Sequence, residues 1–132
     1  MEKKFKYKYL AKITSVYDGD GSYDSVIDLG MKMYMQKQVR LYGVDTPELR
    51  GNHKEAGRKV RDFVRELILD KEVILYTQRD KSGKYGRLLA DIKLSDGTDL
   101  SKLLLDKKYA KVYLGGKKEL WTQDELDAIL YS

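Results

Sequence analysis

The sequence has 132 residues, 42% hydrophobic and 36% charged, with 26 Lys and Arg against 21 Asp and Glu for a net charge of +5. That length and apolar fraction suit one domain over residues 1–132 with a real core, and the basic surplus points to an acidic partner, nucleic acid first. Cysteine is absent and His53 is the single histidine, which excludes disulfides, thiol catalysis, cysteine-ligated zinc and two-histidine zinc sites. Any hydrolysis must therefore run on carboxylates, arginines, tyrosines, lysines or a hard metal. No apolar run approaches the roughly 20 residues that span a bilayer, so no membrane partner is expected. The N-terminal MEKKFKYKYLAKI carries no continuous apolar stretch, and a cytoplasmic location is the expectation.

Residues 5–17 alternate, with Phe5, Tyr7, Tyr9, Ala11, Ile13, Ser15 and Tyr17 on one side, as in a long first strand. Asp18-Gly19-Asp20-Gly21 follows as a tight turn. Tyr23 to Leu29 reads as a second strand, Gly30 as a turn or bulge, and Met33 to Val44 as a third strand. After Asp45-Thr46-Pro47-Glu48, Asn52 and Glu55 have the spacing of a capping box. Ala56, Val60, Phe63, Val64, Leu67 and Ile68 then recur at helical spacing, the pattern of an amphipathic helix lying on a core. Glu72 to Gln78 reads as a fourth strand, Asp80 to Gly86 as a polar loop and Arg87 to Leu94 as a fifth strand closed by an Asp96-Gly97 turn. Leu100, Leu103 and Leu104 mark a second helix, and Thr122 with Glu125 is a capping box opening a third through Leu130. Five strands with an interposed helix predict an α+β, mainly β fold: a five-stranded OB-fold-type barrel with three helices. A ferredoxin-like sheet is the alternative, but its strand–helix alternation fits less well.

Three segments carry candidate chemistry. Asp18-Gly19-Asp20 alone is an ordinary hairpin turn, and an EF-hand loop is rejected because Tyr23 and Leu29 stand where that loop needs Gly and Glu. What survives is an acid at a strand end, aimed by a turn. In Arg40-Leu41-Tyr42-Gly43-Val44-Asp45-Thr46-Pro47-Glu48, Pro47 disfavours helical geometry at Thr46 and fixes Asp45 and the Thr46 carbonyl in one bend. Arg40 is either solvated or turned into a polar cavity. Lys84-Tyr85-Gly86-Arg87 places an arginine at the start of a strand directly after a glycine. Together they make joint sense around a phosphate and a cation. Carboxylates and a carbonyl are hard oxygen ligands, a further carboxylate can act on water, and guanidinium groups grip phosphate oxygens in a fork.

At this point the sequence resembles the staphylococcal nuclease family. The ordered motifs are DGD at 18–20, VRLYGVDTPE at 39–48, the helix after 52, DKSGKYGRLLA at 80–90, the DG turn at 96–97 and YAKV at 109–112. The resemblance implies Asp20 and Asp45 as metal carboxylates and Thr46 as the donor of a backbone carbonyl to the same ion, Ca²⁺. It implies Glu48 as the general base, Arg40 and Arg87 as the phosphate-binding, charge-stabilising arginines, and Tyr85, Lys84 and Tyr113 as substrate-binding residues. The implied activity is hydrolysis of DNA and RNA with little base specificity and a preference for single strands, by a monomer. Gly21 stands where the family usually has threonine, the stretch from Asp20 to Arg40 implies an extended second hairpin, and the C-terminal helix is short. The lack of a leader pattern sets the chain apart from secreted members and fits an intracellular or phage-associated enzyme. A non-catalytic OB-fold module binding nucleic acid or protein is the rival reading. The plainest is a basic barrel whose acids and arginines form structural ion pairs. His53 reads as a surface residue at the helix start, and Lys3, Lys4, Lys6 and Lys8 as a solvated strand face.

Overall fold

The computed structural model describes residues 7–82 and 86–132, the side chains of 78–82 excepted. Five strands close a barrel: β1 (Tyr7–Val16), β2 (Tyr23–Gly30), β3 (Met33–Leu41), β5 (Glu72–Ser82) and β6 (Leu88–Lys93). Their order around the barrel is β1-β2-β3-β6-β5, with β5 returning to β1. Neighbours run antiparallel except β3 and β6, which pair in parallel over Val39–Leu41 and Leu88–Ala90. A short β4 (Val44–Asp45) pairs instead with β7 (Lys111–Val112) outside the barrel. Three helices complete the described residues: α1 (Lys54–Ile68), α2 (Leu100–Asp106) and α3 (Gln123–Leu130). None of them is long and apolar enough to cross a membrane.

The alternation of β1 is interrupted by a bulge between Ile13 and Ser15. A bulge inserts one residue and bends its strand, which lets β1 serve both β2 and β5 as the barrel closes. It also switches the strand's phase. Ala11 and Ile13 are buried as expected, but beyond the bulge Val16 turns inward and Tyr17 is exposed. The core is one cluster in which Ile13, Tyr23, Ile27, Leu41, Leu75 and Ile92 from the strands meet Val60, Val64 and Ile68 from α1 and Leu100, Leu104, Leu126 and Ile129 from α2 and α3. Each fully buried aliphatic side chain stabilises by about 1.5–3 kcal/mol relative to exposure.

Several boundaries differ from the sequence expectation. The third strand stops at Leu41 instead of running to Val44, because Gly43 takes φ +85° and turns the chain into β4. β5 continues through Ser82, not Gln78, because it pairs with Leu88 across the hairpin. The capping box at Asn52 and Glu55 does not form: Gly51–His53 makes a 3-10 turn, and α1 begins at Lys54 behind His53 with no side-chain cap. Where the expectation rested on close local partners it holds. The Thr122 and Glu125 capping box is present in both directions, and Asp96 accepts from the Thr98 N–H in the DG turn. The β2–β3 hairpin is extended, and β3 meets β6 only from Val39 onward.

Candidate functional site

Helix α1 is the platform on which the site is assembled. A Cβ on Gly57 would collide with the Glu48 and Pro47 carbonyls, so the helix touches the Pro47–Glu48 backbone directly. One turn on, Val60 lies against Gly19, where an added Cβ would stand 2.7 Å from the valine Cγ1 and 3.0 Å from the Thr46 hydroxyl. The helix thus seats both the Asp18–Gly21 turn and the Asp45–Glu48 bend. The turn is fastened by the Asp18 carboxylate, which accepts from the Gly21 N–H at 2.8 Å, and by the buried Tyr23 hydroxyl, which donates to the Gly19 carbonyl. Burial, reinforced by the Asp20 and Asp18 charges, pushes the Tyr23 hydroxyl well above its usual pKa, so it remains a donor.

A cleft of about 320 Å³ opens where these elements meet, lined by Asp18, Asp20, Arg40, Asp45, Thr46, Glu48, Arg87 and Lys118 among others. Asp20 and the Asp45–Thr46 bend are in direct contact: the Thr46 N–H donates to Asp20 Oδ2 at 2.9 Å. Arg40 is 9% exposed and turned inward. Its Nη1 donates to the Asp20 carbonyl at 2.8 Å and the Leu41 carbonyl at 3.0 Å, and its Nη2 to the Val44 carbonyl at 3.1 Å. Nη1 also lies 3.7 Å from Asp20 Oδ1. These bonds use three of five guanidinium N–H groups and hold the arginine rigidly in the cleft wall. Gly21 makes room for it, since a Cβ there would come within 2.9 Å of Arg40 Cδ and 3.4 Å of Arg87 Nη1. A side chain in place of this glycine would press on Arg40 Cδ and reach Arg87 Nη1 at ordinary contact distance. Arg87 is half-buried and donates to the Ser22 hydroxyl at 3.4 Å.

Glu48 leaves the bend on the exposed side of the cleft, paired with exposed Arg50 at 3.3 Å. Its N–H donates to His53 Nδ1 at 3.4 Å, so the lone histidine supports the turn between the bend and α1. Asp45 is only 5% exposed, and both its carboxylate oxygens have partners: Oδ2 accepts from the Trp121 indole at 3.2 Å, and Oδ1 lies 3.1 Å from Lys118 Nζ. Tyr113 lines a smaller neighbouring pocket of about 190 Å³ that shares Arg40 and Arg87 with the main cleft. Lys84 and Tyr85 lie outside the described residues.

Asp18 was not singled out by the sequence, yet it belongs to the cleft. Burial, then the charge of Asp20 and a hydrogen bond with it, push the Asp18 carboxyl up to about 7. Two acids crowd this corner, and positive charge there is favourable. Among the described residues no three Asp, Glu or His side chains converge as a metal cluster on their own. The oxygen donors lining the cleft are the Asp20 and Asp45 carboxylates and Thr46, beside Asp18. That all-oxygen set fits a hard cation such as Ca²⁺, which takes carbonyl and water ligands along with carboxylates. Lys118 and Trp121 had no sequence signal, because they reach Asp45 across the whole length of the chain between β4 and α3.

A family model described as staphylococcal nuclease homologue matches residues 38–129. Arg40, Asp45, Thr46, Glu48, Arg87 and Tyr113 fall inside that match; Asp18 and Asp20 precede it and join the site through the contacts above. Comparison with curated proteins found no match.

Proposed function

The chain belongs to the staphylococcal nuclease family, and from that premise we propose that it hydrolyses phosphodiester bonds of DNA and RNA with Ca²⁺ as cofactor. The observation that carries this reading is the single cleft into which residues from Asp20 to Arg87 converge, pairing acids with two arginines. Asp20, Asp45 and the Thr46 carbonyl would hold the ion, which when bound supplies positive charge to the phosphate oxygens and to attacking water. Arg40, immobilised by three carbonyls, and Arg87 present fixed guanidinium charge where a phosphoryl transition state gathers negative charge, so little reorganisation is needed at the moment of reaction. Glu48, exposed at the cleft edge and paired among the described residues with a solvent-facing arginine, would take a proton from the attacking water. Tyr113, with Tyr85 and Lys84 before Arg87, would contact the substrate beside the scissile phosphate. The reading extends to a preference for single strands and to a monomer, as the resemblance to the family implies.

The test is cleavage of labelled single-stranded DNA and RNA with Ca²⁺, with Mg²⁺ and with EDTA, beside Glu48→Gln. We expect turnover with Ca²⁺, none with EDTA, and a loss of about 10²–10⁴-fold in Glu48→Gln at unchanged melting temperature. Robust cleavage in EDTA would remove the metal, and a loss under tenfold would remove Glu48 from the chemistry. A second reading, a non-catalytic nucleic-acid-binding barrel, is favoured by the internal partners of Arg40 and Asp45. Tight binding of oligonucleotide without turnover in any metal would decide for it.

A further inference from the structure

Asp45 is the most enclosed carboxylate of the cleft, with 8% of its side chain exposed, and the chain supplies its counter-ion. A buried carboxylate without a partner is strongly unfavourable, and a cation beside it offsets that cost. Here that cation is Lys118, 3.1 Å from Oδ1 and half exposed. Its ammonium also lies 5.4 Å from the centre of the Tyr113 ring. Lys111, by contrast, is fastened by Glu125 at 2.8 Å, by the Leu120 carbonyl at 2.9 Å and against the Trp121 ring. Lys118 sits on the segment after Gly115 and Gly116, both at positive φ, and its charge reaches Asp45 on a flexible stem through one ion pair. Trp121 is buried and holds the other oxygen, Oδ2.

We propose that Lys118 is a displaceable resident cation at Asp45, and that a divalent ion enters the cleft in competition with it. Lys118 thereby sets the metal affinity of the site. The proposal rests on the metal reading above, and the two fail differently. An ammonium and a metal ion held at the same carboxylate repel one another, which weakens binding of the ion. Lys118 can leave at modest loss because its side chain is half exposed and can swing into water. Trp121 stays and keeps the carboxylate oriented.

The experiment is calorimetric titration of the full chain with Ca²⁺, comparing wild type with Lys118→Met, which keeps an unbranched side chain of similar length but removes the charge, and with Lys118→Arg, which keeps the charge. Melting in chelator establishes that all three are folded. The expected result is binding about threefold to tenfold tighter in Lys118→Met and no tighter than wild type in Lys118→Arg. Binding by Lys118→Met alone, with none in wild type, supports the same conclusion at its extreme. Equal or weaker binding by Lys118→Met, with wild type binding normally, overturns the role of Lys118 and leaves the metal reading standing. Absence of Ca²⁺ binding in all three overturns the metal reading and this proposal with it.

Discussion

At the scale of single residues, the most informative group is Asp18. Its carboxyl is raised from 3.8 to about 7, first by burial and then by Asp20. A carboxyl held above its unfolded value binds its proton more tightly in the folded chain. Its contribution is therefore fully present below about pH 4 and is lost as pH rises through 7. Asn at this position keeps the acceptor for the Gly21 N–H and removes the titration. In chelator, Asp18→Asn should equal wild type near pH 4 and exceed it by about 1–3 kcal/mol at pH 8, read from urea unfolding at both values. A stability gap that does not change with pH would contradict the acid-pair account. Asp18 was visible in the sequence as part of DGD, but a turn aspartate and a strained acid look alike until the partner acid and the wall behind it are placed.

At the scale of elements, α1 does more than cover the barrel. The apolar stripe Ala56, Val60, Val64 and Ile68 was legible from spacing alone and is buried as expected. Gly57 was not legible, because a glycine inside a helix reads as a weak position. Helix propensity predicts that Gly57→Ala should stabilise by about 0.8–1 kcal/mol. The structure reverses the sign, since the new methyl would meet the backbone carbonyls of Pro47 and Glu48. We expect a net destabilisation of about 1–3 kcal/mol, with cleavage at least tenfold slower because the Glu48 bend must shift. Unfolding and single-turnover measurements on the same preparation check both parts, and an Ala variant as stable as wild type would refute the close packing. The end of β3 carries the same lesson. Its alternation continued in sequence to Val44, but Gly43 broke it and freed Val44–Asp45 to pair with Lys111–Val112. That detour points Asp45 at Trp121 and Lys118.

At the scale of the whole molecule, the net charge of +5 is a weak guide, since 21 acids are interspersed with the 26 bases. The organised positive charge is local, in the cleft wall of Arg40 and Arg87. Each phosphate contact by a cation adds about −0.7 to the slope of log affinity against log salt for a single strand. In the Glu48→Gln background with Ca²⁺ present, Arg87→Ala should make that slope shallower by about 0.7, as followed by fluorescence anisotropy of a labelled oligonucleotide. An unchanged slope would place Arg87 away from the phosphate. Arg40 is a poorer probe, because replacing it also strips partners from the Asp20, Leu41 and Val44 carbonyls and would disturb the fold.

Sequence alone determined the features that depend on neighbours: strand alternation, the stripe of α1, the Thr122 capping box, the DG turn and, through ordered motifs, the family. It also named the cleft residues Asp20, Arg40, Asp45, Thr46, Glu48 and Arg87, because their three segments, each weak alone, stand together in the order of the family's motifs. Tertiary structure decided which charges meet. The hold of Asp20 on Arg40, the close approach of Gly21 to Arg40, the seat of Glu48 on Gly57 and the pairing of Asp45 with Lys118 all join residues on different elements. Contacts of that kind depend on barrel closure and helix docking, and periodicity along a sequence carries no record of them.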